Sequence, residues 1–208
     1  MPMMTRDHGM DDLVGRVRVA VKDRIEESTQ SVAHRFDHLA RVMQNAQRIA
    51  ATIDNVDREL LELAVLLHDV DQPVGKKKDH VALSVKAAAD ILDRAGCPRE
   101  TAAKVLQVIS EHSSEHVETR KPTSVEAKIL FDADKVDGLG AIGITRVFSL
   151  FGQMNSSARE AIAWYRKKID IALKHLQTEE GMRLCQARLP FVLQFLGQLE
   201  SELAQYRE

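Results

Sequence analysis

An adjacent histidine and aspartate, His68 and Asp69, close the run LLELAVLLHDVD at 60–71. Imidazole nitrogen and carboxylate oxygen are the donors that hard and borderline divalent cations take. A buried apolar run has no packing reason to end in two such donors, so they are the first residues to explain. On a helix the two side chains stand about 100° apart. They can flank one ion only over the helix edge, near its end, and other segments must then complete the shell. The candidates are His38 in HRFDHLARV, before the pair, and His80, His112 and Asp134 after it. Asp134 lies in FDADKVD, inside an otherwise apolar segment. Asp132 points away from it on a helix, while Asp137, three residues on, lies close to its face.

These side chains need helices to hold them. Leu13, Val17, Val21 and Ile25 recur at four-residue spacing over 10–28, an amphipathic stripe. A second helix carries Leu39, Val42, Met43, Ala46, Ile49, Ala50 and Ile53, ended by Asp54-Asn55, and a third covers about 57–68. The segment VDQPVGKKKD at 70–79 reads as a loop. Helices follow at about 80–95, stopped by Ala95-Gly96 with Pro98 beyond, and at 99–112. Polar SSEHVETRKP connects to a helix running from a Thr123 or Ser124 cap through Val136, with Glu126 near its third position. Gly138, Gly140 and Gly143 break or tighten the chain before Ile144–Phe151. A long amphipathic helix near 157–177 and a last one over about 179–206 complete the chain, and Pro190 is expected to kink or split the latter.

The composition agrees with this all-α reading. Of 208 residues 44% are hydrophobic, which suits one globular domain, and no alternating strand pattern is evident. The net charge of −2 offers no global basic footprint for nucleic acid. Cys97 and Cys185 are isolated, as reduced thiols of a cytoplasmic protein would be. The opening MPMMTRDHGMDD lacks the apolar core of a secretory signal, and no stretch reaches the roughly 18 uncharged apolar residues of a membrane span. A soluble cytoplasmic protein is expected. An apolar face on the C-terminal helices could support a homodimer.

His38 with Arg41-Val42, then AVLLHDVD at 64–71, then ILFDADKVDGLGAIGITRVF at 129–148 resemble, in order, the HD-domain superfamily of metal-dependent phosphohydrolases, most of all its small stand-alone bacterial members. The resemblance spans 34–148, and the chain after 150 shares it only generally. It implies an all-α HD-domain bundle over about 30–150, with additional C-terminal helices at about 155–206, in a single domain. It also implies a divalent ion (Mn, Mg, Co, Ni, Fe or Zn) held by His38, His68, Asp69 and Asp134. The family's first histidine matches His38, directly before the xxRV element, rather than His34, which is left as a supporting or helix-start residue.

Several further residues keep two readings. His112 could face the ion, contact phosphate or move a proton, or it could simply cap its helix. His80 could contact substrate, share a second metal site with His112, or cap. Asp71 could orient or deprotonate the attacking water, or cap a helix. Lys76, Lys77 and Lys78 would serve a polyphosphate, or form a solvated loop. Arg41 is divided between phosphate and an ion pair, with Glu126 as a possible partner. His112 and His116 match a zinc-pair spacing, but no acidic or thiol partner follows.

Two imidazoles and two carboxylates leave open positions on a six-coordinate ion, enough for a water and a phosphate oxygen. Zinc lowers the pKa of its water from about 15.7 to about 7, and manganese or magnesium less. The expected function is therefore hydrolysis of a nucleoside tri- or monophosphate, or a related phosphate ester, through a metal-activated water. No nucleophilic serine or cysteine motif and no glycine-rich phosphate loop is present, which argues against covalent catalysis and a P-loop enzyme. The alternative is a metal- or nucleotide-binding helical sensor without turnover. An oxygenase on the same scaffold ranks lower, because it normally needs a second metal and more histidines.

Overall fold

A computed structural model describes residues 12–27, 36–71, 80–113, 117 and 121–205. Among them lie nine helices and no strand. They are α1 (Leu13–Glu27), α2 (Phe36–Ala50), α3 (Arg58–Leu67), α4 (His80–Arg94), α5 (Arg99–Glu111), α6 (Val125–Asp137), α7 (Gly140–Gln153), α8 (Ala158–His175) and α9 (Glu179–Gln205). The all-α expectation holds.

Helix α3 is the centre of the first apolar cluster. Its residues Leu60, Leu61 and Leu63 to Leu67 are all buried, and only Arg58, Glu59 and Glu62 near its start reach the surface, so the rest of the helix must be enclosed by neighbours. Helices α1, α2, α5 and α6 pack around it. The amphipathic stripe of α2 contributes Leu39, Val42, Met43, Ala46, Ile49 and Ala50, which meet Ile129, Leu130, Ala133 and Val136 of α6 in the same core. Each such large side chain stabilises the fold by about 1.5–3 kcal/mol before entropy is counted. Asp57 caps α3 by accepting from the Leu60 amide at 3.0 Å, and its own amide donates to Glu126 Oε1 at 2.9 Å. Glu126 thus anchors the start of α3 rather than pairing with Arg41. Ser124, not Thr123, caps α6 by accepting from the Ala127 amide.

A second cluster joins α7, α8 and α9 through Leu139, Ile144, Val147, Phe151, Ile162, Tyr165, Ile169, Val192 and Leu196. Helix α7 starts at Gly140, earlier than Ile144, because Gly140 takes φ +76° and turns the chain out of α6. Gly143 then lies against the turn itself: a Cβ there would stand 2.2 Å from the Gly138 carbonyl oxygen. Of the kink or split expected at Pro190, the split does not occur: α9 runs unbroken past it. Pro190 and Gln186 both occupy exposed positions, so water can meet the carbonyl that proline leaves without an amide. No helix among the described residues is long and apolar enough to cross a membrane.

Candidate metal centre

Helix α3 delivers His68 at its C-cap and Asp69 one residue later, at the bottom of the first apolar cluster. Helix α2 brings His38 in its first turn, α5 brings His112 at its C-cap, and α6 brings Asp134. The His68 ring stands between the other two, with ring centroids 5.3 Å from His38 and 5.2 Å from His112, edge to face.

The backbone and one carboxylate decide which nitrogen each ring offers. His68 Nδ1 is 2.8 Å from the Val65 carbonyl oxygen, and His112 Nδ1 is 2.6 Å from that of Ile109. A carbonyl can only accept, so both Nδ1 atoms carry hydrogen, and in the neutral ring the lone pair then lies on Nε2. His38 Nδ1 donates to Asp137 Oδ2 at 2.8 Å, with the same consequence. Three imidazoles are therefore fixed as Nε2 donors, and all three Nε2 atoms turn to the same carboxylates. His38 Nε2 is 3.6 Å from Asp69 Oδ2 and 3.6 Å from Asp134 Oδ1. His68 Nε2 is 3.6 Å from Asp69 Oδ2, and His112 Nε2 is 3.4 Å from Asp69 Oδ1.

This arrangement passes the test for a metal. Donors bound to one ion at about 2.1 Å stand roughly 3–4 Å apart, which matches these separations. Ligand atoms of His38, His68 and Asp69 lie within 4.8 Å of one another. His68 Nε2 is buried and makes no hydrogen bond, a costly state for a lone pair that a cation would relieve.

The surroundings tune these groups in different directions. Burial holds the His68 imidazole down to about 4, so it is neutral at neutral pH. Burial and the Arg146 guanidinium push His38 down too, but the carboxylates of Asp137, Asp69 and Asp134 outweigh them and raise it. Burial works to raise Asp134, yet Lys135, then His38 and His68, hold it far below the usual carboxylate range. Asp137 also overcomes its burial: His38, Arg146 and Arg41 bring it to about 2.

Asp137 is the hub behind the first histidine. Besides His38 it accepts from Arg146 Nη1 at 2.6 Å and from Arg41 Nε at 2.8 Å. Arg41 also pairs with Asp37 at 2.7 Å, so of its two sequence readings the ion pair describes this structure. Asp71 is turned to α1, where Arg24 meets its carboxylate at 2.7 Å. Lys76, Lys77, Lys78, His34 and His116 lie outside the described residues, and so does the side chain of His80 at the start of α4. Glu111 keeps His112 in place by accepting from the Thr123 amide at 2.8 Å and from its hydroxyl at 3.0 Å, which ties the chain after His112 back to α5.

Sequence reading passed over Lys135 and Arg146 here, and it placed Asp137 beside the Asp134 face without giving it a role. Lys135 Nζ donates to Asp134 Oδ2 at 2.6 Å and to the His112 carbonyl oxygen at 3.1 Å. Arg146 had a visible signal, a lone charge in the apolar, glycine-rich GAIGITRVF.

Comparison with known proteins agrees with the fold. The family model for the HD domain matches residues 35–139. The Bacillus subtilis protein YpgQ is 31% identical over 180 residues, which is 84% of this chain and 86% of that protein. Its crystal structure in complex with ADP superposes with a TM-score of 0.69 at 27% identity, covering 91% of this chain and 97% of that one. A predicted HD-superfamily hydrolase from an uncultured Thermotogales bacterium matches with a TM-score of 0.60 at 27% identity, over 90% and 91% of the two chains. A Lactobacillus plantarum structure, at 21% identity and TM-score 0.78 over 93% and 98%, shares the fold. With its HD pair at the end of α3 and its match to the family model over 35–139, the chain belongs to the HD-domain family.

Proposed function

We propose that this protein is a metal-dependent phosphohydrolase that cleaves a nucleotide or a related phosphate ester with water. The observation that carries the proposal is the convergence of three tautomer-fixed Nε2 lone pairs on the Asp69 and Asp134 carboxylates. His38, His68, Asp69 and Asp134 are the residues that would hold the ion. When bound, a divalent cation there acidifies a water and offsets charge on the phosphoryl group.

The protein's own groups have definable parts. Asp137 and the Val65 carbonyl keep His38 and His68 from turning their lone pairs away. His112 has Nδ1–H committed to Ile109, so its Nε2 can only accept: it either joins the donor set or takes a proton from the attacking water. Asp71 is the weaker candidate for that base, because in this structure Arg24 holds its carboxylate. The ADP complex of the Bacillus subtilis relative supports a nucleotide as the substrate class.

The test is release of phosphate and pyrophosphate from a nucleotide panel with Mn²⁺, Mg²⁺, Co²⁺ or Ni²⁺, run beside Asp69→Ala. Metal-dependent release that disappears in the variant is expected, and the product names the bond cut. Tight metal binding without turnover of any nucleotide would favour the sensor. Metal binding that survives both Asp69→Ala and His38→Ala would remove the site.

A further inference from the structure

The donor set is unevenly open to solvent. The side chains of His38 and His68 are 0% exposed, His112 is 3% and Asp69 is 6%. Asp134 and its neighbour Lys135 reach 17% and 14%. A substrate can therefore approach the centre most readily at its Asp134–Lys135 edge, and Lys135 is the cation standing there.

Lys135 is held rigidly for a surface-reaching lysine. Its ammonium donates to Asp134 Oδ2 at 2.6 Å and to the His112 carbonyl oxygen at 3.1 Å, and it sits 4.8 Å above the Phe131 ring centroid. Phe131 is itself fully buried among core side chains. An ammonium has three N–H donors, and these contacts engage two of them. Charge points the same way. The carboxylates of Asp69 and Asp134 match a divalent ion, while Asp137 and Asp37 are matched by Arg41 and Arg146. Lys135 then remains as positive surplus at the opening, the sign an anionic substrate needs.

Resting on the phosphohydrolase reading above, we propose that Lys135 is a catalytic residue that touches the substrate, donating its third N–H to the phosphoryl group that approaches over Asp134. A lysine suits this task as a compact point charge, and its anchoring means that little of its freedom is lost on contact.

Two quantities separate this role from mere support of Asp134: Mn²⁺ affinity, read from free Mn²⁺ by electron paramagnetic resonance, and the affinity of the Mn²⁺-saturated protein for orthophosphate and ADP, read by calorimetry. In Lys135→Met, Mn²⁺ binding is expected to be equal or tighter, since Asp134 loses a competitor. Orthophosphate and ADP should bind about 10- to 100-fold more weakly, the worth of one charge-assisted hydrogen bond, with part of the loss recovered in Lys135→Arg. Anion binding as in the parent would overturn the assignment and leave the phosphohydrolase reading standing. A loss of Mn²⁺ affinity that accounts for the whole loss of anion affinity would make Lys135 a positioning residue only and also overturn it. A parent protein that, saturated with Mn²⁺, neither binds nor hydrolyses any phosphate compound would sink both. Should the variants fail to fold, protection of Lys135 from reductive methylation by Mg²⁺-ADP in the parent, followed by mass spectrometry, decides: protection is expected, and its absence overturns the proposal.

Discussion

Replacing Asp137 by asparagine removes one charge and almost no volume, and the hydrogen bonds show why that is expected to disable the centre. The carboxylate serves three donors: His38 Nδ1 at 2.8 Å, Arg146 Nη1 at 2.6 Å and Arg41 Nε at 2.8 Å. An amide has one oxygen, so whichever way the substituted side chain turned, its NH₂ would face at least one of these donors. If the oxygen stayed with His38, Arg41 Nε would lose its acceptor. If it went to Arg41, His38 would lose the group that fixes its Nε2 as the lone pair.

Both consequences can be sized. Losing the support behind a metal-ligating histidine costs about 10- to 100-fold in metal affinity, or about 1.4–2.7 kcal/mol. Breaking a buried ion pair costs about 3–5 kcal/mol. The arginines here are 22% and 14% exposed, so water recovers part of that and roughly 2–3 kcal/mol of stability should be lost. The assay is Mn²⁺ titration by calorimetry beside urea unfolding, with Asp132→Asn as the control. Asp132 lies on the same helix and is equally buried, but it accepts from the Gln177 amide at 2.9 Å and the Thr178 amide at 2.8 Å, on the far side from the centre. The control should lose stability and keep its Mn²⁺ affinity. Unchanged Mn²⁺ affinity in Asp137→Asn, or an equal loss in both variants, would refute the reasoning.

Mn²⁺ at a hundred times its dissociation constant should raise unfolding stability by about 2.7 kcal/mol, a gain that EDTA reverses and Asp69→Ala abolishes. The metal-free protein should lose stability as pH falls from about 6.5 to about 4. Over that window the unfolded chain protonates His68 while the folded chain, with this group held down to about 4, refuses the proton. The loss is up to about 3 kcal/mol. His38 is raised instead, so its contribution is complete below about 6.5 and fades only as pH rises through its folded value. Urea midpoints across pH should therefore fall on the acid side in the parent and less so in His68→Gln; a flat parent profile contradicts this. Gly143→Ala forces a Cβ to 2.2 Å from the Gly138 carbonyl oxygen and 2.7 Å from Tyr165 Oη. It should cost about 2–3 kcal/mol by urea unfolding and weaken Mn²⁺ binding as well, because α7 carries Arg146.

How much of this could be read in the sequence depends on the range of each interaction. The stripes on α1, α2 and α4 to α6 are local periodicities, and they located those helices within a few residues. His68 and Asp69 stood out because nothing apolar explains them. His38 and Asp134 were found through ordered motifs, and the structure brings both within 3.6 Å of that neighbourhood. Arg41 shows the limit. Its partner is Asp137, 96 residues away, and no spacing rule connects two helices that meet only in the fold. Glu126 was proposed for it on charge alone, yet that carboxylate is taken by the Asp57 amide. Pro190 shows a related limit: a proline disrupts a helix by its own chemistry, but whether the helix continues past it depends on which side faces water.

The three aspartates of α6 explain why the C-terminal helices matter to a centre they do not enter. At about 100° per residue, Asp134 and Asp137 share one side of the helix and Asp132 faces away. The first side looks into the metal centre, while Asp132 reaches the junction of α8 and α9, where Thr178 and Gln177 donate to it. The end of α6 is gripped as well: Tyr165 Oη donates to the Gly138 carbonyl oxygen at 2.8 Å, and Arg188 Nη1 to that of Val136 at 2.7 Å. Arg188 also reaches Asn45 Oδ1 on α2 at 3.2 Å, and Asn45 in turn donates to the Ala133 carbonyl oxygen. Helix α6 is therefore fixed between the two apolar clusters at both ends of the stretch 132–138, and Asp134 sits in the middle of that stretch. The family model ends at 139. Arg146, Tyr165, Gln177, Thr178 and Arg188 all lie beyond it. An HD core cut at that boundary would keep every proposed ligand and the packing of α2, α3 and α5 on α6, but it would lose the contacts that Arg146, Tyr165, Gln177, Thr178 and Arg188 make to Asp132, Asp137 and the end of α6. The C-terminal helices in this way brace the helix that presents Asp134 and Asp137.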